Sequence, residues 1–365
     1  MRSPAGTGAR RWILFVLLAL APMWLIGTLG RGAWTPDEPR EADIAWRMSV
    51  QSHWVLPQLA DQPFLEKPPL SYWMSAEAMR LFGASVRAAR VPNLVYAAIT
   101  AVAIGTLGAA MDGAAAAIIA ALVAASALTA FRVTMWLAPD ACLLAGCAVS
   151  LLGAYFGYTA PPGRRKLYGY LLMHAGAAVG FMAKSAVGWV VPGLALLTVI
   201  AWERRWAELR RLELYAGFLL QAVVIGPWIH AVAQTAHGAE SLRVLFWYNL
   251  VGRFTNIPAP AAYHYSTGHR NSFGKYFIEL PVYLLPWTAL AAAAAWRARK
   301  AVRLAAPIGT CWRFAVAASL PFLLLLSLAA TARDIYAVPA LLGVSLLVAL
   351  HLSEAQRLSE GQQLP

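Results

Sequence analysis

The sequence predicts an all-α polytopic membrane protein. Its 365 residues are 60% hydrophobic and 13% charged, whereas soluble proteins carry about 25% charged residues. Apolar runs of roughly 17 to 22 residues recur along the chain, and helical runs of that length span a hydrocarbon core about 30 Å thick. We therefore expect a bundle of about ten transmembrane helices, at residues 12–30, 91–110, 114–132, 141–158, 167–183, 186–202, 212–231, 276–295, 312–330 and 335–352.

The first apolar run follows a basic leader and lacks a clear small-x-small cleavage site. We expect it to be a retained signal anchor rather than a cleaved signal peptide. The three cysteines lie in or beside apolar runs, so the sequence implies no disulfide framework.

The positive charges indicate how the helices are oriented. The formal net charge is +13, but the arginines cluster in short loops rather than on one soluble face, which argues against a nucleic-acid partner. The clusters at 2–11, 163–166, 203–211 and 296–303 fall on one side of the predicted bundle, and by the positive-inside rule that side is cytoplasmic. We expect one transmembrane domain over 1–352 with both termini cytoplasmic, outer loops at 31–90 and 232–275, a short cytoplasmic tail at 353–365, and no soluble C-terminal domain.

The first outer loop gathers acidic residues, since seven of the 17 carboxylates lie in 31–90 and four of those fall within 37–43. In "TPDE", Thr35 suits a helix N-cap, Pro36 the first helical position and Glu38 the third residue after the cap. A second helix is predicted after "EKPP". We expect two amphipathic juxtamembrane helices on the outer membrane surface, with apolar faces at Ala42, Ile44, Ala45 and Met48 and at Leu70, Trp73, Met74, Ala78 and Leu81.

Helix chemistry explains most of the clustered carboxylates, because acidic residues in a first turn oppose the positive end of the helix dipole. It explains Asp37 less well, since Glu66 and Lys67 stand among prolines in "PFLEKPP" as a second unusual group. A surface ion pair is the alternative reading of that group. Further lone charges mark the outer edges, where such residues are snorkelling anchors or functional groups: Asp140, Lys184, Arg253, His269 and Arg333.

Carboxylates, lysines and arginines gathered at one membrane face suit a phosphate-linked sugar on a lipid carrier. Cationic side chains and tyrosine bind phosphate through charge-assisted hydrogen bonds. A carboxylate serves as a general base or stabilises an oxocarbenium-like centre. The sequence has no P-loop, no GxGxxG after a strand and no HExxH, so nucleotide-driven and zincin chemistry lack support. No metal ligands stand out, no cofactor is required, and a divalent cation has no support.

The loop motifs "DEPREADIAWRM", "HWVLPQL" and "PFLEKPPLSYWM" follow one another in order, and "AKSAVGWVVPGL", "NLVGRF" and "RDIYAVPALL" continue the series over most of 31–350. This series resembles the aminoarabinose-transferase branch of the protein-mannosyltransferase-like (GT-C) membrane glycosyltransferases. The resemblance implies a GT-C fold in the bacterial inner membrane. It also implies an enzyme that transfers a sugar from a polyprenyl-phosphate donor to an envelope lipid, glycan or protein on the periplasmic face.

The resemblance also implies roles for single residues. Asp37 falls on the family's essential first-loop aspartate, Glu66 and Lys67 fall on its Glu-Lys pair, and Asp140 falls on the acidic residue before the fourth span. We expect the catalytic set to be Asp37, Glu66 and Asp140, and the substrate-binding set to be Arg40, Lys67, Lys184, Arg253, His269, Arg333 and Tyr336.

The chain departs from the family pattern in two places. Glu41 stands where the family has a tyrosine, and Asn249-Leu250 stands where aminoarabinose transferases carry Glu-His, so a metal site using that histidine lacks support. The sequence leaves two alternatives to an enzyme. A flippase or transporter of a lipid-linked sugar would favour charges at mid-membrane and internal repeats, and a non-catalytic family member would keep the fold alone.

Overall fold

The described part of the chain is almost entirely helical, as predicted. The computed structural model describes residues 7–255, 257 and 270–359. Within those residues the only paired strands are β1 (Gln58–Leu59) and β2 (Gln62–Pro63), which form one short antiparallel hairpin in the first loop. The helices are therefore the elements that position every candidate site residue.

The N-terminal part contains one long membrane helix followed by the first loop. Helix α1 (Thr7–Leu29) is followed by α2 (Asp37–Gln51) and α3 (Leu70–Phe82), which are the two short helices predicted in that loop. Helix α2 buries the predicted face at Ala42, Ile44, Ala45 and Met48. Helix α3 packs on the protein with Ser71, Tyr72, Ser75, Ala76, Ala78 and Met79, while Met74 and Leu81 of the predicted apolar face are exposed, so contact of that face with the membrane surface stays a prediction.

The next element is a long helix that reverses direction, and shorter helices follow it. Helix α4 (Val86–Ser126) is interrupted by non-helical backbone at Asp112 and Gly113, where Gly113 has φ +84°, so the chain reverses there, as the predicted spans 91–110 and 114–132 require. The following helices are α5 (Leu128–Met135), α6 (Asp140–Thr159), α7 (Arg164–Lys184), α8 (Val187–Trp202), α9 (Leu212–Tyr215), α10 (Gly217–Ala233) and α11 (Gly238–Leu242).

A π-helical segment (Arg243–Gly252) precedes α12 (Arg253–Thr255), and both belong to the predicted second outer loop. Short 3₁₀ turns occur at Trp206–Arg210 and Asp334–Ala337. The last helices are α13 (Lys275–Tyr283), α14 (Thr288–Ala301), α15 (Ile308–Ala317), α16 (Leu320–Leu328) and α17 (Val338–Ser359), which continues beyond the predicted end at residue 352.

By length and composition, six helical segments of the described chain can cross a membrane, which makes this a polytopic membrane protein. The shorter apolar helix α8 falls below that length. Each of the ten predicted spans overlaps a helix, but the count of about ten crossings stays a prediction. The six segments are Arg11–Leu29, Val86–Ser126, Asp140–Thr159, Leu212–Ala233, Ile308–Leu328 and Asp334–Ser359.

The centre of the bundle is formed by α6 and α17, whose most apolar stretches are each 83% buried. Helices α6 and α7 touch backbone to backbone through glycines. A Cβ atom added to Gly153 would lie 2.1 Å from the nitrogen of Met173, and one added to Gly169 would lie 2.3 Å from the nitrogen of Gly157. Small residues permit this close approach, and it fixes the start of α6 beside the end of α7.

Candidate active site

A polar cavity of about 350 Å³ lies where the first loop meets the start of α6, the end of α7 and the turn before α17. The segments that line this cavity lie as much as 300 residues apart in the chain. The fold brings their charged side chains together at one end of the bundle. The lining residues are Pro36, Asp37, Arg40, Glu41, Glu66, Lys67, Trp136, Ala138, Asp140, Lys184, Arg333, Ile335 and Tyr336.

Asp37 is the first residue of α2, and its carboxylate is held by two arginines. Oδ2 accepts a hydrogen bond from Arg333 Nη2 at 2.5 Å, and Oδ1 accepts one from Arg40 Nη2 at 3.3 Å. Burial alone would raise the pKa of Asp37, but the hydrogen bond and charge of Arg333, and then the charges of Arg40 and Lys67, lower it below its ordinary value. Asp37 is therefore an ionised carboxylate in the lining of the cavity.

Glu38, the neighbour of Asp37, points away from the cavity and is completely buried. Its carboxylate binds the guanidinium groups of Arg31 and Arg90 at 2.7–2.9 Å and also accepts the backbone N–H groups of Trp34 and Leu137. Burial opposes ionisation, but these donors lower the pKa of Glu38 to about 2. Glu38 thus ties the start of α2 to the beginning of α4 and to the loop before α6.

The predicted capping of α2 by Thr35 is wrong. The helix begins at Asp37, with Pro36 in the cap position and no side-chain hydrogen bond there. The free N–H of Trp34 is instead satisfied by the Glu38 carboxylate at 2.6 Å. The pattern correctly predicts a helix start in this segment, but the start lies one residue later than predicted, with Pro36 rather than Thr35 in the cap position.

Asp140 and Lys184 form the opposite wall of the cavity. Asp140 is the first residue of α6 and Lys184 the last of α7, and Lys184 Nζ lies 2.5 Å from Asp140 Oδ1. The Lys184 ammonium group also lies 4.7 Å from the ring centre of Tyr336, a cation–π distance. Asp140 and Lys184, which the sequence predicts on the same outer side, are therefore in direct contact.

Lys67 forms an ion pair with Glu41, a residue that the sequence analysis explains by its favourable interaction with the helix dipole. Its Nζ donates to Glu41 Oε1 at 2.6 Å, and Glu41 is only 2% exposed. Glu41 lies one turn after Asp37 on the same face of α2, and that spacing is the signal by which the sequence could have placed it in the site. Glu66, beside Lys67, lines the same cavity.

An apolar cavity of about 160 Å³ adjoins the polar one. The two cavities share Glu66, Lys67, Asp140, Lys184 and Tyr336. Beyond this shared wall the second cavity is mainly hydrocarbon, with Leu143, Val187, Val190, Leu250, Phe254, Phe322, Leu325 and Leu326. A molecule with an ionic group and an apolar chain would find both environments side by side.

Two predicted substrate-binding residues are not placed in the cavity. Arg253 is the first residue of α12 and only its backbone is described, and His269 lies outside the described residues. Asn249 lines the apolar cavity, and its side-chain amide donates to the carbonyl of Leu65 at 2.7 Å. Among residues 7–255, 257 and 270–359, no three His, Cys, Asp or Glu side chains are grouped as metal ligands.

Comparisons with known proteins show which families the chain is similar to. The family model for dolichyl-phosphate-mannose-protein mannosyltransferase matches residues 66–230. The chain is similar to the undecaprenyl phosphate-alpha-4-amino-4-deoxy-L-arabinose arabinosyl transferases of Edwardsiella ictaluri and Pseudomonas aeruginosa, at 28% and 29% identity over 79% of this chain. It spans about half the length of these relatives, 50% and 51% respectively.

Solved structures share the fold. ArnT of Cupriavidus metallidurans bound to undecaprenyl phosphate aligns with a TM-score of 0.81 at 21% identity, covering 97% of this chain and 63% of that one. The oligosaccharyltransferase of Archaeoglobus fulgidus aligns with a TM-score of 0.53 at 14% identity, covering 95% of this chain and 51% of that one. At such identities the likeness concerns the fold alone.

The fold and the matches first define a class, that of polytopic membrane proteins with the GT-C fold. Within that class the predicted resemblance is confirmed. The chain is similar to the protein-mannosyltransferase-like glycosyltransferases over residues 66–230, and to the aminoarabinose transferases over most of its length.

Proposed function

We propose that the protein is an integral-membrane glycosyltransferase that moves a sugar from a polyprenyl-phosphate donor to an envelope acceptor. The observation that carries the proposal is the pair of adjoining cavities, one ionic and one apolar, that share Lys67 and Tyr336. A lipid phosphate needs both environments at once. The similar enzymes are named for an undecaprenyl-phosphate donor, which supports the same donor class here.

The donor phosphate would bind the cations at the shared wall. Lys67 and Lys184 present ammonium groups there, and the Tyr336 ring packs beside Lys184. Arg253 stays part of this proposal as a further phosphate ligand from α12. When the acceptor oxygen bonds to the anomeric carbon, the bond from that carbon to the phosphate oxygen breaks, and its electron pair leaves with the polyprenyl phosphate. Fixed cations stabilise this negative charge as it develops.

Asp37 would orient the acceptor and stabilise positive charge on the sugar. Its lowered pKa makes it a weak proton acceptor, because an efficient general base has a pKa near the working pH. An acceptor phosphate is already ionised and needs no strong base. Glu66 and Asp140 would contact the sugar, and Arg40 and Arg333 would hold Asp37 in place.

The active site would face the periplasm of the bacterial inner membrane. Helix α6 runs from Asp140 at the cavity to the basic loop 163–166, and α7 returns from that loop to Lys184. Helix α8 then leads to the basic loop 203–211. The arginine-rich loops therefore lie at the far end from the cavity, which supports a cytoplasmic position for them and for both termini. In this topology, residues 1–352 would form the transmembrane domain and residues 353–365 a short cytoplasmic tail.

We expect Asp37→Asn to lose sugar transfer by about a hundredfold or more, which is the size of effect of removing an electrostatic contact made in the transition state. The measurement is turnover of radiolabelled undecaprenyl-phosphate aminosugar with lipid A as acceptor, in nanodiscs. Asp43→Asn is the matched control, because Asp43 lies on the same helix but pairs with Arg47 outside the cavity. Binding of undecaprenyl phosphate should survive in both variants.

The proposal fails if the wild-type protein turns over no polyprenyl-phosphate sugar, or if Asp37→Asn is as active as wild type. Movement of an intact labelled donor across the bilayer without transfer would instead identify a flippase. Assaying lipid A, a glycan and a peptide side by side identifies the acceptor class.

A further inference from the structure

A groove of about 440 Å³ runs along helix α14 on the outside of the bundle. Its lining comes from α8, α13, α14, α15, α16 and α17, and the described part of that lining is hydrophobic apart from Thr288, Ser319 and Arg299. Ala295 and Leu320 in this lining are exposed. Because these helices belong to a membrane protein, an exposed apolar groove between them faces lipid chains.

One end of the groove lies far from the candidate active site. Trp202 and Arg299 line that end, and Trp202 is the last residue of α8. Helix α8 begins at Val187, three positions after Lys184 of the polar cavity, and its 16 residues are about 24 Å long. The Arg299 end is therefore at the opposite end of the bundle from the polar cavity. In the proposed topology this end is cytoplasmic.

The Arg299 end carries positive charge that carboxylates do not compensate. Arg297, in the last turns of α14, forms an ion pair with Glu354. Within the described residues, Arg299 and the following cations Lys300 and Arg303 form no ion pair with a carboxylate. The guanidinium group of Arg299 lies 3.2 Å from the centre of the Trp296 ring, and tryptophan is typical of the membrane–water interface. Basic side chains at such a position attract anionic lipid headgroups.

The groove is long enough for an acyl chain of one leaflet. Its lining residues on α14 extend from Thr288 to Val302, which is about 21 Å at 1.5 Å per residue. The hydrocarbon core of a bilayer is about 30 Å thick, so the chains of one leaflet span about 15 Å. A lipid whose phosphate lies at Arg299 can therefore place a whole acyl chain in the groove.

We propose that this groove binds one anionic phospholipid of the phosphatidylglycerol type, with its phosphate at Arg299 and an acyl chain along α14. The site shares no described lining residue with the two cavities of the candidate active site. It goes beyond the proposed function, because this lipid is not a reactant. Helix α16 separates the groove from the apolar cavity, since Leu320 and Leu323 line the groove and Phe322 and Leu326 line the cavity. The bound lipid would support that wall of the cavity from outside.

The test compares two phospholipids that have the same acyl chains and differ in headgroup, phosphatidylglycerol and phosphatidylcholine. Each is titrated into the whole detergent-solubilised chain, and native mass spectrometry gives the dissociation constant of the first lipid adduct. We expect phosphatidylglycerol to bind at least about fivefold more tightly. Each basic side chain near an anionic headgroup contributes about 1 kcal/mol, which corresponds to about fivefold in affinity.

Two variants separate the charge from the groove. Arg299→Gln should reduce the preference for phosphatidylglycerol about fivefold, whereas Arg299→Lys keeps the charge and should keep most of the preference. Arg164→Gln removes an exposed cation outside the groove and should keep the preference. Ala295→Phe places a ring in the groove and should abolish the first adduct of both lipids. Ala293→Phe adds the same ring at an exposed position of α14 outside the groove and should change neither affinity.

Equal affinities of the wild-type protein for the two lipids would overturn the proposal. Equal effects of Arg299→Gln and Arg164→Gln would also overturn it, because Arg299 would then be one snorkelling charge among several. Equal effects of Ala295→Phe and Ala293→Phe would show that no acyl chain occupies the groove. Thermal unfolding in detergent identifies misfolded variants, and Ala292→Phe, at another exposed lining position, replaces a destabilised Ala295→Phe.

Two further results would assign the groove to another occupant and overturn the proposal. A species of twice the chain mass that persists in excess lipid would make this face a contact between copies of the chain. Displacement of bound phosphatidylglycerol by an equimolar amount of undecaprenyl phosphate would assign the groove to the polyprenyl carrier. None of these measurements needs sugar transfer, so their outcome is independent of the proposed reaction.

Discussion

Asp37 and Glu38 are neighbours in the chain, but their side chains have opposite surroundings. Asp37 faces the polar cavity between Arg333 and Arg40, whereas Glu38 is buried between Arg31 and Arg90. Consecutive helical residues point about 100° apart, so one carboxylate can line the site while the next anchors the helix that carries it. Glu38 does not line the cavity, but its ion pairs hold α2 in place and so position Asp37.

At the residue scale, we expect Glu38→Gln to be strongly destabilising. Removing one partner from a buried ion pair typically costs about 3–5 kcal/mol, because the remaining charge is left without compensation. Both Arg90 and Glu38 have fully buried side chains. The measurement is the midpoint of thermal unfolding in detergent, with Glu77→Gln as the exposed control. A Glu38→Gln midpoint within error of the control would contradict this role.

At the scale of elements, the site depends on helices that touch without side chains between them. Gly153 on α6 and Gly169 on α7 bring the two backbones together. The same two helices supply Asp140 and Lys184, whose ion pair forms one wall of the cavity. Packing far from the cavity therefore sets the distance between two of its charges.

We expect Gly153→Ala to destabilise the protein by about 1–3 kcal/mol, because the added methyl group meets backbone atoms that cannot move aside. Gly193→Ala on α8 is the control, since a Cβ atom there meets nothing within 4 Å. Thermal unfolding in detergent measures the effect. Equal unfolding temperatures for the two variants would contradict the prediction, because the α6–α7 contact would then accommodate a methyl group at residue 153.

At the scale of the whole molecule, the network at Glu38 holds four segments together and makes the fold sensitive to acid. These are the end of α1, the start of α2, the start of α4 and the loop before α6. The pKa of Glu38 falls from 4.5 to about 2 on folding. A lowered folded-state pKa stabilises the protein above the unfolded value and ceases to do so as pH falls through the folded value.

We therefore expect stability to be insensitive to this group from pH 7 to about 4.5, and to fall steadily from there toward pH 2. The pKa of Asp37 is also lowered, so its contribution is lost in the same direction. The midpoint of thermal unfolding, followed from pH 7 to pH 3, measures the loss. Glu38→Gln should show a shallower decline, and a wild-type midpoint that stays constant down to pH 3 would contradict the prediction.

Local features of the sequence are enough to predict the fold class, the helical segments and several of the charged residues that line the cavity. The length of an apolar run and the charge of a loop are local properties of the sequence. The membrane helices can therefore be predicted without knowing which helices pack against them. Lone charges in apolar surroundings are similarly conspicuous, which is why Asp37, Lys67, Asp140 and Lys184 could be selected and why the resemblance to the family could be recognised.

Which charged side chains meet depends on how distant segments of the chain pack together. Glu41 was assigned to helix chemistry and lies in the cavity on Lys67, while Thr35 does not cap α2 and the inward face of α3 is not its most apolar one. Pairings such as Asp37 with Arg333 join residues far apart in the chain, and local spacing carries no information about them. The physical reason is that a carboxylate on a helix serves equally as a dipole partner, a buried anchor or a site residue. Its role depends on what packs against that face.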